Sequence, residues 1–217
     1  MIHFKSLFPF RTLKILSSIM LLNIFIFCSC VSTMKFTLGI KKFKPISHKK
    51  IIEISERYNL GKYTYGYVDT NYYHFIESKT ESNKVISSAL QPLNLMLFDS
   101  NKNYIASVVN CDARFKFINM NWDNSYKYFP PSPIEQYKNK FPKDLTILDS
   151  IQKHIFILKE IQDSKITNPN FYAFIFWSKA MGRQSSIFIN QTLAYLKNKN
   201  IQITLVNIDN ILGYAKQ

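Results

Sequence analysis

The chain has 217 residues, a mass of 25.5 kDa and a formal net charge of +14. Hydrophobic residues make up 47% of it, with only 5 glycines and 8 prolines, and this composition excludes a disordered or linker-rich protein. The lysines are scattered in short pairs such as Lys41-Lys42, among many Ile, Asn, Phe and Tyr residues. Scattered charge favours compositional bias over a nucleic-acid site, so we expect no nucleic-acid partner.

The first thirty residues have the order of a bacterial signal peptide. Residues 1–14 carry three basic residues and no acidic one, and the apolar stretch 15–27 follows. The next residues, Cys28-Ser29-Cys30, resemble a lipoprotein signal, in which the acylated cysteine becomes the mature N-terminus. Ser29 fits the small residue expected before Cys30, whereas Phe27 departs from the usual leucine. We therefore predict lipidation at Cys30.

Two other outcomes are open at the N-terminus. The uncharged residues 15–31 are just long enough for an uncleaved membrane anchor, and cleavage after a small residue such as Ser32 would release the chain. All three outcomes predict a location in the bacterial cell envelope, facing the periplasm or the exterior, if the positive flank stays inside. The chain then divides into a signal peptide or anchor, a tether and one α/β domain, over residues 1–29, 30–46 and 47–217.

Cys111 is the only cysteine that follows this N-terminal region. One cysteine cannot form an internal disulfide, so the domain is not a disulfide scaffold. Its thiol is either a reactive nucleophile or, as is more common for a lone cysteine near a strand end, a small buried hydrophobe.

Four segments before residue 160 have the periodicity of regular structure. Ser47 predicts the start of a helix that extends to about residue 59, and residues 63–77 alternate aromatic and polar residues, which predicts a β-hairpin. Two apolar runs joined by a polar turn predict a second hairpin over 93–110. An irregular, proline-containing stretch covers 119–143. Apolar residues at intervals of three and four then predict an amphipathic helix over 144–158.

Residues 171–209 predict a strand–helix–strand unit. Phe171–Trp177 is continuously apolar, as in a strand that is covered on both faces. Ser185 or Ser186 predicts the start of a helix that extends to about Lys197, and residues 201–208 form a second apolar strand. The short connections require a parallel pair of strands with a right-handed crossover.

This unit resembles the active-site half of a thioredoxin-like domain. In that family an apolar strand ends in tryptophan, a loop carries Cys-x-x-Cys into a helix, and the next strand ends in an Asn-x-Asp-like segment. Trp177 and Asn207-Ile208-Asp209 match the two strand ends, but Met181 and Gln184 lie where the cysteines would be. The resemblance therefore implies a thioredoxin-like fold without thiol–disulfide oxidoreductase activity, because neither side chain forms a thiolate.

The resemblance also implies a permuted order of elements. Only eight residues follow Asp209, too few for the hairpin and last helix that complete a thioredoxin sheet. The hairpin over 93–110 and the helix over 144–158 would supply them from the N-terminal side. We therefore expect an α/β fold with a mixed four-stranded sheet and helices on both faces.

The loop that follows Trp177 is the candidate site. It leads into a helix N-terminus, where free backbone N–H groups favour an anion, and its own basic residues would add to that preference. The predicted contacts to an anion or partner are Lys179, Gly182, Arg183, Ser185 and Ser186. The alternative is that these are solvated surface residues and that Trp177 packs in the core.

The sequence contains no metal-ligand pattern and no Gly-rich phosphate loop, so we expect no cofactor, no metal and no catalytic residue. It favours a membrane-tethered, non-catalytic binding or structural module with an unidentified envelope protein as its partner. The alternative is an envelope hydrolase or transferase that acts on an anionic or sugar substrate. A deep pocket that joins the loop to a carboxylate such as Glu77 or Asp112 would favour the enzyme.

Overall fold

The computed structural model describes residues 39–58, 60–79, 86, 89–116, 119–131, 147–161 and 166–212. The predicted signal peptide or anchor, the predicted lipidation at Cys30 and the tether up to residue 38 lie outside these residues. Within the described part of the chain, no helix has both the length and the apolar character needed to cross a bilayer.

The described residues contain both helices and strands. The helices are α1 (His48–Arg57), α2 (Thr70–Lys79), α3 (Leu148–Gln152), α4 (Arg183–Leu196) and α5 (Asp209–Leu212). The strands are β1 (Thr64–Val68), β2 (Asn94–Asp99), β3 (Tyr104–Val109), β4 (Arg114–Lys116), β5 (Asn119–Asn121), β6 (Ile155–Lys159), β7 (Phe171–Trp177) and β8 (Ile201–Asn207).

Six strands form one mixed sheet in the order β3-β2-β7-β8-β1-β6. The three strands β7, β8 and β1 are parallel, and Asn207 of β8 lies between Trp177 of β7 and Tyr67 of β1. Strands β2 and β6 flank them in the antiparallel direction. The C-terminal ends of the three parallel strands therefore meet at one edge of the sheet.

Helices pack on both faces of this sheet. Alternate side chains of a strand point to opposite faces of the sheet. Ile175 and Trp177 belong to the core between the sheet and helices α1 and α4. Phe176 belongs to the core on the other face, between the sheet and helices α2 and α5. The burial of β7 on both faces explains its continuous apolar sequence. The structure thus confirms the predicted mixed α/β class, with six strands in place of four.

The two most apolar predicted units are also confirmed. The unit β7-α4-β8 has the predicted order and parallel pairing. The hairpin β2-β3 has the predicted bounds to within one residue, and β2 pairs with β7 along its whole length. The helix predicted from Ser47 is α1, and the Ser47 side chain accepts a hydrogen bond from the backbone N–H of Lys50 at 3.3 Å.

The hairpin predicted over 63–77 is wrong. Strand β1 ends at Val68, and α2 begins two residues later. The Asp69 carboxylate accepts a hydrogen bond from the backbone N–H of Asn71 at 2.9 Å, as the residue before a helix commonly does. Tyr72 and Ile76 then lie four residues apart on the buried face of the helix. The polar residues at 69–71 are therefore a helix start and not a hairpin turn.

The long helix predicted over 144–158 is also wrong in its second half. Helix α3 ends at Gln152, and β6 follows it, antiparallel to β1, with Ile155 opposite Val68. Strand β6 supplies hydrogen-bond partners for the backbone groups on the outer side of β1. This stabilisation comes from residues far apart in the sequence, so the helical spacing of apolar residues does not reveal it. The two extra strands of the sheet, β1 and β6, both come from these misassigned segments.

Gly66 provides a test of this pairing. It lies at a bulge between β1 and β6, where a Cβ atom would be 2.3 Å from the backbone oxygen of Phe156. We expect Gly66→Ala to lower the free energy of unfolding by about 2 kcal/mol, because the strands must separate to admit the methyl group. Chemical denaturation of the two proteins measures the difference.

Gly61→Ala is the matched control, since no atom lies within 4 Å of the position that its Cβ would take. This control should change stability by less than about 1 kcal/mol. Equal losses in the two variants would contradict the β1–β6 pairing.

Candidate functional site

One buried carboxylate organises the turn that follows β7. Asp209, which is 1% exposed, begins α5. One of its oxygens accepts hydrogen bonds from the Ser178 hydroxyl at 2.6 Å and the Ala180 backbone N–H at 3.4 Å. The other accepts from the Lys179 backbone N–H at 2.7 Å and the Asn207 side-chain amide at 2.8 Å. Each oxygen of the buried charge therefore has two donors.

The sheet register brings these groups together. Trp177 and Asn207 are opposite each other at the ends of two parallel strands, and the Ile208 backbone N–H donates to the Trp177 oxygen at 3.0 Å. The residues just beyond the two strand ends, Ser178 and Asp209, are consequently neighbours. This is the edge of a parallel sheet where ligands commonly bind, because the connections to the following helices diverge there.

The segment 39–46, predicted from the sequence as a tether, lies on this turn. The Lys41 backbone N–H donates to the Ala180 oxygen at 2.7 Å, and the Ile46 backbone N–H donates to the Asn210 side chain at 3.0 Å. Gly39 lies directly against Gly182. A Cβ atom added at position 182 would be 2.4 Å from the Gly39 backbone oxygen. These contacts fix the path of the segment across the ends of the strands.

An open cavity of about 290 Å³ lies between this segment and the turn. We call it the lysine cavity, and its lining residues are Lys41, Lys42, Lys44, Ile46, Lys179, Ala180 and Asp209. Among the residues that the structure describes, none of the four lining ammonium groups is in an ion pair. The one lining carboxylate, that of Asp209, accepts its hydrogen bonds from four donors of the domain itself. The cavity therefore carries a net positive charge, with four ammonium groups against one carboxylate, and this suits an anion.

Glu53 on α1 is an acidic residue that interacts electrostatically with Lys179. The hydrogen bond from Lys50 lowers the pKa of the Glu53 carboxyl, and the charges of Lys50, Arg57 and Lys179 lower it further. Lys50 and Arg57 are its direct partners, at 2.7 and 3.0 Å. Glu53 makes its ion pairs within α1, and its negative charge also offsets part of the positive charge of Lys179.

The five residues predicted for the site have different positions. Lys179 lines the lysine cavity, and Arg183 is exposed at the start of α4. Gly182 is covered by Gly39, and Ser186 is half-buried. Ser185 is fully buried, with its hydroxyl donating to the Ser178 backbone oxygen. The structure therefore brings only Lys179 to the cavity, where it joins three lysines that the sequence did not single out.

Met181 and Gln184, which the resemblance aligns with the two cysteines, both take part in packing. Met181 is buried in the core, and the fully buried Gln184 accepts a hydrogen bond from the Met120 backbone N–H at 3.0 Å. Cys111 is exposed, so the buried position that the sequence favoured for it is wrong. The apolar run of β3 ends at Val109, and Cys111 follows in a short turn at the surface.

The two carboxylates named for an enzyme do not line the lysine cavity. Glu77 is exposed on α2. Asp112 accepts a hydrogen bond from the Val109 backbone N–H at 2.8 Å, and burial raises the pKa of its carboxyl. In the described ranges, His, Cys, Asp and Glu residues form no group of three or more that could hold a metal ion.

Comparison with protein-family models, curated proteins and solved structures found no match.

The four donors to Asp209 predict a large effect of its replacement. Asp209→Asn keeps the size of the side chain but turns one acceptor into an NH₂ group that faces two donors. We expect a loss of about 3 kcal/mol in the free energy of unfolding, because buried donors lose a charged acceptor. Thermal and chemical denaturation measure this loss.

The matched control is Asp149→Asn, which removes an exposed ion pair with Lys102 at 2.8 Å. Exposed pairs stabilise proteins little, so this variant should lose less than about 1 kcal/mol. A loss in Asp209→Asn no larger than in the control would contradict the assigned role of the buried carboxylate.

Proposed function

We propose that this chain is a membrane-tethered, non-catalytic binding module of the bacterial cell envelope, and that the lysine cavity binds an anionic group of its partner. The observation that carries the proposal is the set of four ammonium groups without ion pairs, among the described residues, around a cavity with a single, internally bonded carboxylate. Such a surface attracts anions, because its positive charges outnumber its negative ones.

The hydrogen bonds of Asp209 favour binding over acid–base chemistry at this site. A general base must have an oxygen within hydrogen-bond reach of the proton that it removes. Both oxygens of Asp209 are directed at donors of the fold itself, and the residue is buried. The lysines that surround it act as charges, and flexible ammonium groups on long side chains suit phosphate or carboxylate groups.

A thioredoxin-like frame with a permuted order of elements is part of the proposal. Three observations support it. The hairpin β2-β3 pairs with β7 in the antiparallel direction, as that order requires. The strand β7 ends in Trp177, and β8 ends in Asn207 with Asp209 beyond it. Met181 and Gln184 fill the cysteine positions with packing side chains, which supports a frame used for contacts rather than for redox chemistry.

The tether to the membrane rests on the order of charged, apolar and cysteine-containing segments in residues 1–30. The described part of the chain begins at residue 39, and four residues of the segment 39–46 line the lysine cavity. An anchored N-terminus would therefore lead into the binding site with few intervening residues.

A titration of individual lysines tests the binding site. The lysines of the full chain are labelled with carbon-13 methyl groups and observed by NMR while inorganic pyrophosphate is added at constant ionic strength. We expect the signals of Lys41, Lys42, Lys44 and Lys179 to shift together. The signal of Lys199, which lies 5.0 Å from the ring of Phe129 near the far end of α4, should stay unchanged.

Variants of single lysines complete the test. Lys44→Gln should weaken pyrophosphate binding about fivefold, the effect of removing one close charge of about 1 kcal/mol. Lys197→Gln is the matched control and should bind as the parent chain does. Equal shifts at all lysines, or equal weakening by the two variants, would show general charge screening and would contradict the proposed site.

A further inference from the structure

A row of three aromatic rings connects the start of α1 to the outer strand β6. The ring centroid of His48 is 4.4 Å from that of Tyr67, and the Tyr67 centroid is 5.2 Å from that of Phe156, with an angle of 20° between the last two ring planes. Phe156 is 44% exposed on β6, the last strand of the sheet on that side. A large apolar ring is thus presented to the surroundings of the domain.

The row and the cavity occupy the same end of the sheet. Tyr67 is opposite Asn207, and the Asn207 side chain donates to Asp209, which lines the lysine cavity. His48 follows Ile46, another lining residue, by two positions. Positive charge and aromatic rings therefore lie at the same end of the sheet, and we call the combination the basic–aromatic surface: Lys41, Lys42, Lys44, Lys179, His48 and Phe156.

We propose that the basic–aromatic surface docks on the anionic headgroups of the membrane that holds the N-terminus of the chain. This inference rests on the proposed function, because it identifies the anionic partner of the lysine cavity as a lipid surface. Lysines near a membrane are attracted by its anionic headgroups, and aromatic rings concentrate at the boundary between headgroups and hydrocarbon. The basic–aromatic surface combines both features.

The length of chain between the predicted lipidation site and the cavity supports a membrane as the occupant. Lys41 follows Cys30 by eleven residues, and a fully extended chain of that length spans at most about 40 Å. A lipid-anchored domain on so short a connection meets the headgroups at a high effective concentration, so even a weak contact is populated.

The arrangement of donors favours a lipid surface over a free phosphate ion. A site for one small anion is usually built from convergent backbone N–H groups. The backbone N–H groups of Lys179 and Ala180 are already bonded to Asp209, so they are not available to such an ion. Lysine side chains remain, and their charges can interact with many headgroups at once without fixed geometry.

Lysine acetylation in vesicles tests the inference on the full chain. The chain is reconstituted in vesicles of phosphatidylcholine, with or without phosphatidylglycerol, and the acetylation of each lysine is followed by mass spectrometry. We expect acetylation of Lys42 and Lys44 to slow about fivefold when phosphatidylglycerol is present. Lys199 should react equally in both, and high salt should remove the protection.

A pair of aromatic variants separates docking from unspecific attraction. Phe156→Ser should reduce the protection of Lys42 and Lys44, because it removes the exposed ring of the same basic–aromatic surface. Tyr128→Ser removes an equally prominent ring, 64% exposed, from the neighbourhood of Tyr195 near the far end of α4, and should leave the protection unchanged. Equal effects of the two variants would overturn the proposed surface.

Four further outcomes bear on the inference. Equal acetylation of Lys44 in both kinds of vesicle would overturn it. Protection by inorganic phosphate as strong as that by phosphatidylglycerol would identify a free anion as the ligand and overturn it too. If the pyrophosphate titration succeeds and the vesicle experiment fails, the anion-binding module stands without the membrane contact; if both fail, the lysine cavity is not a binding site.

Discussion

The carboxylate of Asp209 is the group on which the candidate site depends. Burying a charge is costly unless donors surround it, and here four donors from the ends of β7 and β8 do so. Two of them are the backbone N–H groups of Lys179 and Ala180, so the carboxylate determines the course of the turn. The Ala180 oxygen then accepts from the Lys41 backbone N–H. Through this contact the buried charge also positions the lysines of the segment 39–46.

The site therefore combines a rigid backbone scaffold with mobile charged side chains. The scaffold is held by buried hydrogen bonds and by the close approach of Gly39 to Gly182, which leaves no room for a Cβ atom at position 182. The ammonium groups are carried on long side chains at the surface, where they can adjust to a partner. Such an arrangement gives attraction to an anionic surface with little geometric selectivity, as a contact with many headgroups would need.

The sequence was sufficient for the elements whose signal is local or strongly apolar, which are α1, the hairpin β2-β3 and the unit β7-α4-β8. It predicted the strand β1 but failed at its partner, at α2 and at β6. The polar residues around Asp69 fit a hairpin turn as well as a helix start, and β6 is defined by its non-local pairing with β1. Lys179 was predicted for the site. The role of Asp209 was not, because three of its four donors come from residues about thirty positions earlier. The thioredoxin-like resemblance stays a prediction.

Native-state hydrogen exchange in Asp209→Asn tests most directly whether this carboxylate builds the site. We expect the backbone N–H groups of Lys179, Ala180 and Lys41 to exchange slowly in the parent chain and to become fast together in the variant. The N–H groups of the hairpin β2-β3, on the other side of β7, should speed up less, at most by the factor that the global loss of stability gives. If Lys41 remained protected while Lys179 and Ala180 opened, the carboxylate would not position the lysine segment, and the account would be contradicted.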